Sequence, residues 1–479
     1  MSLSASLHTA LSGLAAATRA ADVVSSNIAN ALTPGFAARS LALSARAGDD
    51  VGGVQVVGVE RDVDPALLGD RRRADAALGD AQAQADFLTR LGEILGAPDD
   101  PGALSARITG FEAALTYAAG DPSAPQRLEG AVDAAERLAA GLRAASAEVQ
   151  AQRTGADAAI GDMVDRLNAG LARVQGLNRA VAAATARGED IAGLLDRRQR
   201  EIDALSEIVP LREVARRGGA VALYTAGGAA MLDGTPVTIG FDRSPVITPG
   251  MTMAVGALSG LTIDGRAAAP SAIAGGRMEG MFAVRDDLAV SAQTGLDALA
   301  RDLVERLEGI PDATRAPGTP ALFTDAGAAF TPAGESGLSA RIAVNDSVRP
   351  DAGGAAWRLR DGLGAAGPGT PGGSGLLEAM RTTLAEARAP ASGGFGPAPR
   401  GLAALAADLA GQAAGRLQDA EARQSHAAAR HAQLTAAEAR RGVDTDAEMQ
   451  SLLVIEQLYG ANARMIRTID EMMDTLVRL

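Results

Sequence analysis

The groups best equipped for chemistry in this chain are few and scattered. Gly362-Leu363-Gly364-Ala365-Ala366-Gly367 has the spacing of a dinucleotide-binding turn, but such a turn works by presenting pyrophosphate to the N-terminus of a following helix. Pro368 follows at once and leaves no helix start to hold the anion. The three histidines are His8, His426 and His431. The last two stand five apart, about 140° around a helix axis, so they do not share a face as metal ligands four apart would; they read as solvated surface. No Gly-x-Ser-x-Gly elbow occurs, and three histidines give a Ser/His/Asp triad little material. Acidic residues are abundant and an acid-pair glycosidase needs only two of them. No spacing nominates a pair, however, and one Trp and three Tyr supply few platforms for sugar. Arg71-Arg72-Arg73 and Arg197-Arg198 have the charge for anion sites, but beside Asp on Ala-rich helices they read as solvated faces.

What is missing narrows the field further. There is no Cys, which removes thiol nucleophiles, thiolate metal sites and disulfides. All 45 basic residues are Arg, so P-loop, Schiff-base and kinase-type lysines are absent. A net charge of −13 does not concentrate phosphate backbones, which argues against nucleic acid. The expectation is a protein that is not an enzyme, with no catalytic residue, cofactor or metal. The N-terminus has no basic stretch before an apolar core, so no cleaved signal peptide is expected. No run reaches the roughly 18 to 20 apolar residues of a membrane span.

The elements come next. A chain of 479 residues is too long for one core. Its apolar content of 47% includes only 3% aromatic residues, so Ala, Leu and Val on long helices must do the packing. Leu3, Leu7, Ala10, Leu14, Ala17, Ala21, Val24 and Ile28 alternate steps of four and three, a heptad seam on a helix about 38 Å long. Ala5, Ala15, Ala16 and Val23 lie off that seam, so this helix needs more than one neighbour. It should stop before Pro34, which forces Thr33 out of the helical region, and Pro34-Gly35 fits a type II turn. Val54, Val56, Val57 and Val59 predict one or two short strands.

Residues 65–217 read as at least three long helices, broken at Pro98-Asp99-Asp100-Pro101 and Asp121-Pro122, the last including 191–208 and ending at Pro210. Short β-prone runs at 221–224, 237–239, 246–248, 251–255 and 261–263 predict a β-rich insert. Helical spacing returns at 278–307, followed by loops and strands, then glycine- and proline-rich loops at 362–375 and 390–399. A long helix over 402–441 ends at Gly442, and Thr445 with Glu448 forms a capping box for a final helix. There Leu452, Ile455, Tyr459, Asn462, Ile466, Ile469, Met473 and Leu476 build a second heptad seam.

The expected fold is mainly α with a β-rich insert. A terminal α-helical coiled-coil domain (1–46 with 443–479) would carry a long-helix rod domain (47–218 with 279–442) and a small β outer domain (219–278), with 310–375 as a candidate addition to the last. The two terminal seams should meet antiparallel, and further copies should cover what they leave exposed.

Both ends carry longer signatures. Ala10-Leu11-Ser12-Gly13-Leu14, Ser26-Asn27-Ile28-Ala29-Asn30 and Thr33-Pro34-Gly35-Phe36 resemble the N-terminal signature of the axial proteins of the bacterial flagellum, the family of rod, hook and hook-associated subunits. Gly442-Val443-Asp444, Glu448-Met449, Glu456-Gln457-Leu458-Tyr459-Gly460-Ala461-Asn462-Ala463 and Ile469-Asp470-Glu471-Met472-Met473-Asp474-Thr475-Leu476 are similar to its C-terminal signature. In the interior, Leu194-Leu195-Asp196-Arg197-Arg198, Leu205-Ser206, Gly275-Gly276-Arg277-Met278-Glu279-Gly280-Met281, Arg285-Asp286, Leu322-Phe323 and Ile342-Ala343-Val344-Asn345 resemble hook-associated members at the hook–filament junction more than hook or distal-rod subunits. Two departures stand out: Arg39 falls one place late after Phe36-Ala37-Ala38, and Arg198 replaces a customary acid.

The resemblance implies a structural subunit of the flagellum, serving motility and exported unfolded through the flagellar type III apparatus after release from an export chaperone. It would assemble outside the cell as a ring of its own copies, between the hook protein and the second hook–filament junction protein (hook-associated protein 3), without nucleic acid or membrane insertion. The assembly interface expected on these grounds comprises Leu3, Leu7, Leu14, Val24, Asn27, Ile28, Asn30, Thr33, Pro34, Gly35 and Phe36 at one end. At the other end it comprises Leu452, Ile455, Gln457, Tyr459, Ala461, Ile466, Ile469, Met473 and Leu476. A type III secreted helical effector would share the heptads but not the Asn-Ile-Ala-Asn segment and the Pro-Gly-Phe turn together.

Overall fold

The computed structural model describes residues 3–46, 52–97 and 100–478. Pro98 and Asp99, half of the first expected helix break, lie outside the described residues. The fold is mainly α with small antiparallel sheets. Helix α1 (Leu3–Asn30) leads through the Pro34-Gly35 turn to a hairpin of β1 (Arg39–Ala45) and β2 (Val54–Arg61). Helices α2 (Pro65–Leu95), α3 (Leu104–Gly120), α4 (Pro125–Arg187) and α5 (Ala192–Ile208) follow. Asp64 accepts from the amides of Ala66 and Leu67 and Pro65 opens the first turn, a strong start for α2. Gly188, in a left-handed conformation, ends α4.

The β-rich stretch holds β3 (Leu211–Ala215), β4 (Val221–Thr225), β5 (Ala230–Asp233) and β6 (Thr235–Pro236) in one sheet. A second, smaller sheet holds β7 (Ile239–Gly240), β8 (Thr262–Ile263) and β9 (Arg266–Ala267). Helix α6 (Gly276–Ala283) continues through one π-type segment at Val284–Leu288 into α7 (Ala289–Glu308). Strand β10 (Phe323–Asp325) pairs with β11 (Ile342–Val344), beside the short helix α8 (Leu338–Arg341). Helices α9 (Arg358–Asp361), α10 (Gly375–Ala385), α11 (Leu402–Ala439) and α12 (Thr445–Arg478) complete the chain.

Helix α4, 63 residues and about 95 Å long, is the spine. Its first half packs with α2, α3, α7, α10 and α11 around Phe111, Leu115, Leu138, Leu142 and Val149. Phe323 and Val344 of the β10–β11 pair join this helical core, with the Phe323 ring edge-on to Phe111 at 5.9 Å. The second half carries a separate cluster in which Ile160, Val164, Leu167 and Leu171 meet Ile202 and Leu205 of α5 and Leu223, Met231 and Leu232 of the larger sheet.

Where the two clusters meet, the buried residues are charged. Arg285 is fully buried and donates to Asp157 Oδ1 at 2.6 Å, with its guanidinium 4.9 Å from the Phe282 ring centre. Asp157 Oδ2 also accepts the Ser244 amide. Arg153 donates to the carbonyls of Thr248, Met251 and Arg285. This network accounts for a difference from expectation. Residues 246–248 and 251–255 are irregular rather than strands, because side chains of α4 take backbone groups that a sheet would otherwise have paired. Strands β1, β3, β5 and β9, by contrast, lie outside the runs that hydrophobic patterning picked out.

Asp157→Ala takes from the fully buried Arg285 one of its two carboxylates, Asp286 being the other, and loss of a hydrogen bond to a charged group costs about 1.5–3 kcal/mol. Urea unfolding should register a loss of that size; a change below about 1 kcal/mol would mean the pair is solvated.

Candidate assembly interface

Helices α1 and α12, from opposite ends of the chain, lie side by side. Asn27 Nδ2 donates to Glu448 Oε1 at 2.7 Å, while a Cβ on Gly13 would stand 2.9 Å from Asn462 Nδ2. A fourteen-residue step backward on α1 matches the same step forward on α12, so the pair is antiparallel. Gly13 permits the close approach.

Asn27 is the node of this region. It is buried, and besides Glu448 it binds the backbone of Arg39 in both directions, accepting from the amide at 3.0 Å and donating to the carbonyl at 2.8 Å. The Arg39 guanidinium lies over the Phe36 ring at 4.6 Å and reaches Asp196 Oδ2 of α5 at 2.7 Å. Arg61, opposite Arg39 in the hairpin, reaches Asp196 Oδ1 at 2.8 Å and also Gln199. Burial lowers the Arg61 pKa, and the neighbouring Asp196 opposes that shift. A chain of polar contacts thus runs from α12 through α1 and β1 to α5. At the far end of the hairpin, Thr9 Oγ1 donates to the Gly52 carbonyl and Ser12 Oγ accepts the Val54 amide.

The turn after α1 has the expected geometry. Phe36 N–H donates to the Thr33 carbonyl, and Gly35 has φ +73°. A Cβ on Gly35 would also run into Arg200, so Gly is required twice over. Asn30 donates to the Ser26 carbonyl, while Thr33 and Pro34 are exposed.

The expected interface residues divide by environment. Val24 and Asn27 are buried, and Leu3, Leu7, Leu14 and Ile28 are half-buried, as are Asn30, Gly35 and Phe36. On α12, Ile469 is buried and Leu452, Ile455 and Ile466 are half-buried, whereas Gln457, Tyr459, Ala461, Met473 and Leu476 are exposed. A further row on α12, Val454, Leu458, Met465 and Met472, is exposed as well. The cause is geometric: the hairpin and α12 flank α1, while α12 has α1 as its main partner. The cap of α12 also differs from expectation. Asp444, not Thr445, accepts the amides of Asp446 and Ala447, which frees the Glu448 side chain for Asn27.

Of two runs expected to be solvated, Arg71, Arg72 and Arg198 are held instead at the elbow between the terminal helices and the body, while Arg73 and Arg197 are exposed. Arg71 contacts Asp75, Asp203 and Glu438; burial works to lower its pKa, but the three acids carry the net shift upward. Arg72 is buried against Asp203 and Glu213, and Arg198 is buried against Asn178 and the Gly219 carbonyl. His431 Nε2 lies 2.9 Å from Asp75 Oδ1, so it faces a carboxylate rather than bulk water alone. Burial raises the Asp75 pKa despite Arg71 and His431. Among the described residues no cluster of three His, Cys, Asp or Glu side chains is arranged to hold a metal, and no helix is long and apolar enough to cross a membrane.

Comparison with known proteins bears on these same segments. Residues 7–36 match the flagella basal body rod protein family, residues 88–311 the helical domain of flagellar hook-associated protein FlgK, and residues 439–479 the C-terminal family of flagellar basal body rod FlgEFG proteins. The chain belongs to the flagellar axial family. Flagellar hook-associated protein 1 of Salmonella typhimurium is 25% identical over 242 residues, covering 49% of this chain and 43% of that protein. The Escherichia coli protein of the same name is 23% identical over 242 residues, covering 49% of this chain and 44% of its own length. The chain thus spans less than half the length of the relatives it matches. A solved structure of the flagellar hook junction protein FlgK from Burkholderia pseudomallei superposes with a TM-score of 0.44 at 20% identity, covering 53% of this chain and 46% of that one.

Sequence reading did not place Gly13, Arg39, Arg61, Asp196 and Glu448 in the site of this axial protein. The glycine at position 13 in an Ala- and Leu-rich seam signals close approach, whereas the Arg39–Asp196 and Arg61–Asp196 pairs join residues more than a hundred positions apart and leave no local mark. Gly13→Leu should force α1 from α12 at a cost of about 1–3 kcal/mol and reduce filament number in electron micrographs. Gly460→Ala, which meets open space, should not; equal effects of the two would contradict the close approach.

Proposed function

We propose that this chain is a structural subunit joining hook to filament, exported unfolded by the flagellar type III apparatus and assembled as a ring through its terminal helices. The observation that carries this reading is α12. Paired with α1 along one side, it leaves Val454, Leu458, Met465, Met472 and Leu476 exposed on others, an apolar surface that neighbouring copies would cover. The FlgK helical-domain match at 88–311 favours the junction over a hook or distal-rod subunit, whose families share only the ends. The partners on this reading are other copies of the chain, the hook protein below, the second hook–filament junction protein above, and an export chaperone beforehand. Its location is the extracellular flagellum.

The division into a terminal coiled-coil domain, a rod domain and a β outer domain is part of the proposal; the pairing of α1 with α12 supports the first, while the β-rich stretch shares an apolar cluster with α5 and the second half of α4. The terminal helices of the free chain, with α12 open along one side, stay largely unordered until neighbours bind the helical form and stabilise it by mass action.

Deleting the gene should leave hooks without filaments and release flagellin to the medium; normal filaments on the deletion strain would contradict the junction role. In dilute monomer, amides of residues 3–30 should exchange fast while those of α4 are protected. Strong protection of both would contradict ordering on assembly.

A further inference from the structure

On the β-sheet side of the elbow lies a cavity of about 770 Å³ between the end of β2, the first turns of α2, α5 and strands β3 and β4. Its charge is opposite to that of the chain. Five arginines line it, Arg61, Arg72, Arg73, Arg198 and Arg212, against two acids, Asp70 and Glu213, in a molecule of net charge −13. Three of the guanidinium groups have capacity to spare. Arg72 is 2% exposed, and with Nε on Asp203 and Nη1 on Glu213 its Nη2 has no acceptor. Arg198 is bonded to neutral acceptors, Asn178 Oδ1 and the Gly219 carbonyl. Arg212 is exposed on β3 and forms no ion pair among the described residues. Burial lowers the pKa of both Arg61 and Arg198, and Arg61 adds a smaller repulsion at Arg198; an incoming anion would oppose both effects.

We propose that this pocket receives a carboxylate-bearing segment of a second copy of the chain. The inference rests on the self-assembly reading above. It selects a second copy because each carries 58 acidic against 45 basic residues, so copies brought into register repel unless acids on one meet a basic site on the next. The exposed carboxylates of Glu456, Asp470 and Glu471 on α12 form no ion pair within their own chain among the described residues, so such acids are available. Arginine suits the receiving role, since its planar fork binds a carboxylate through two parallel hydrogen bonds.

The absence of lysine makes a direct test possible. Arg212→Lys places the chain's single side-chain amine at the pocket, and a carbodiimide joins an amine only to a carboxylate in contact with it. Purified flagella carrying this substitution, treated with carbodiimide and run on a denaturing gel, should yield a covalent dimer of the chain. The parent chain and Arg179→Lys, at an arginine of α4 that is exposed and forms no ion pair among the described residues, should not yield it. Links only to Asp70 or Glu213 of the same chain, links to a different axial protein, or no links at all would overturn the proposal. Absence of the parent chain from the particles would overturn the assembly reading first, and the pocket proposal with it.

Discussion

Each terminal helix of this chain is apolar on more sides than one partner can cover. Helix α1 resolves the problem within the chain, because α12 lies along one side and the β1–β2 hairpin along another, which buries Ala10, Ala17, Val23 and Val24. Helix α12 has no second cover and buries only Ile469 among its described residues. At roughly 25 cal/mol per Å² of apolar surface, a row of Leu, Val and Met along a 34-residue helix is a substantial drive toward association. The body is therefore closed, and the apolar surface left open by the terminal pair lies mainly on α12.

The body solves a different problem, that of packing with few aromatic rings. It does so through close approach and through arginine. Helix α6 meets α2 at Gly280, where a Cβ would come 2.9 Å from the Asp80 carbonyl oxygen. Arg153, Arg285 and Arg306 are buried and spend their donors on backbone carbonyls and acids, which ties loops to helices without strand ladders. The elbow uses the same device, with Asp196 clasping one arginine from each strand of the hairpin. Such contacts fix direction where Ala–Ala packing alone would permit sliding, so the angle between terminal helices and body is set by charge as well as by shape.

Much of this architecture was legible in the sequence, for reasons that differ by element. The helices at both ends and the helical stretch from Pro65 to Pro210 declared themselves by spacing and by Pro, Gly and Asp at their limits, because those signals are local, whereas the break at Gly188 between α4 and α5 went unread. The Pro34-Gly35 turn was legible because a positive φ at its third position admits little else. The irregular segment at 246–255 was not, since its backbone is satisfied by Arg153, nearly a hundred residues away. For the same reason the arginines at 71, 72 and 198 read as surface: their carboxylate, amide and carbonyl partners come from other elements. In the candidate interface, periodicity identified the buried side of α12 through Leu452, Ile455, Ile466 and Ile469, but Tyr459 and Met473 turn outward as the seam drifts around the helix.

The central claim is that α1 and α12 of one chain are each other's partner in this register. Because the chain has no cysteine, Gly13→Cys combined with Asn462→Cys tests it in intact flagella. Oxidation should close a disulfide within single chains, seen as a faster-migrating monomer on a non-reducing gel and reversed by reductant. Disulfide-linked dimers, or thiols that remain free under conditions that oxidise exposed cysteine pairs, would contradict the pairing.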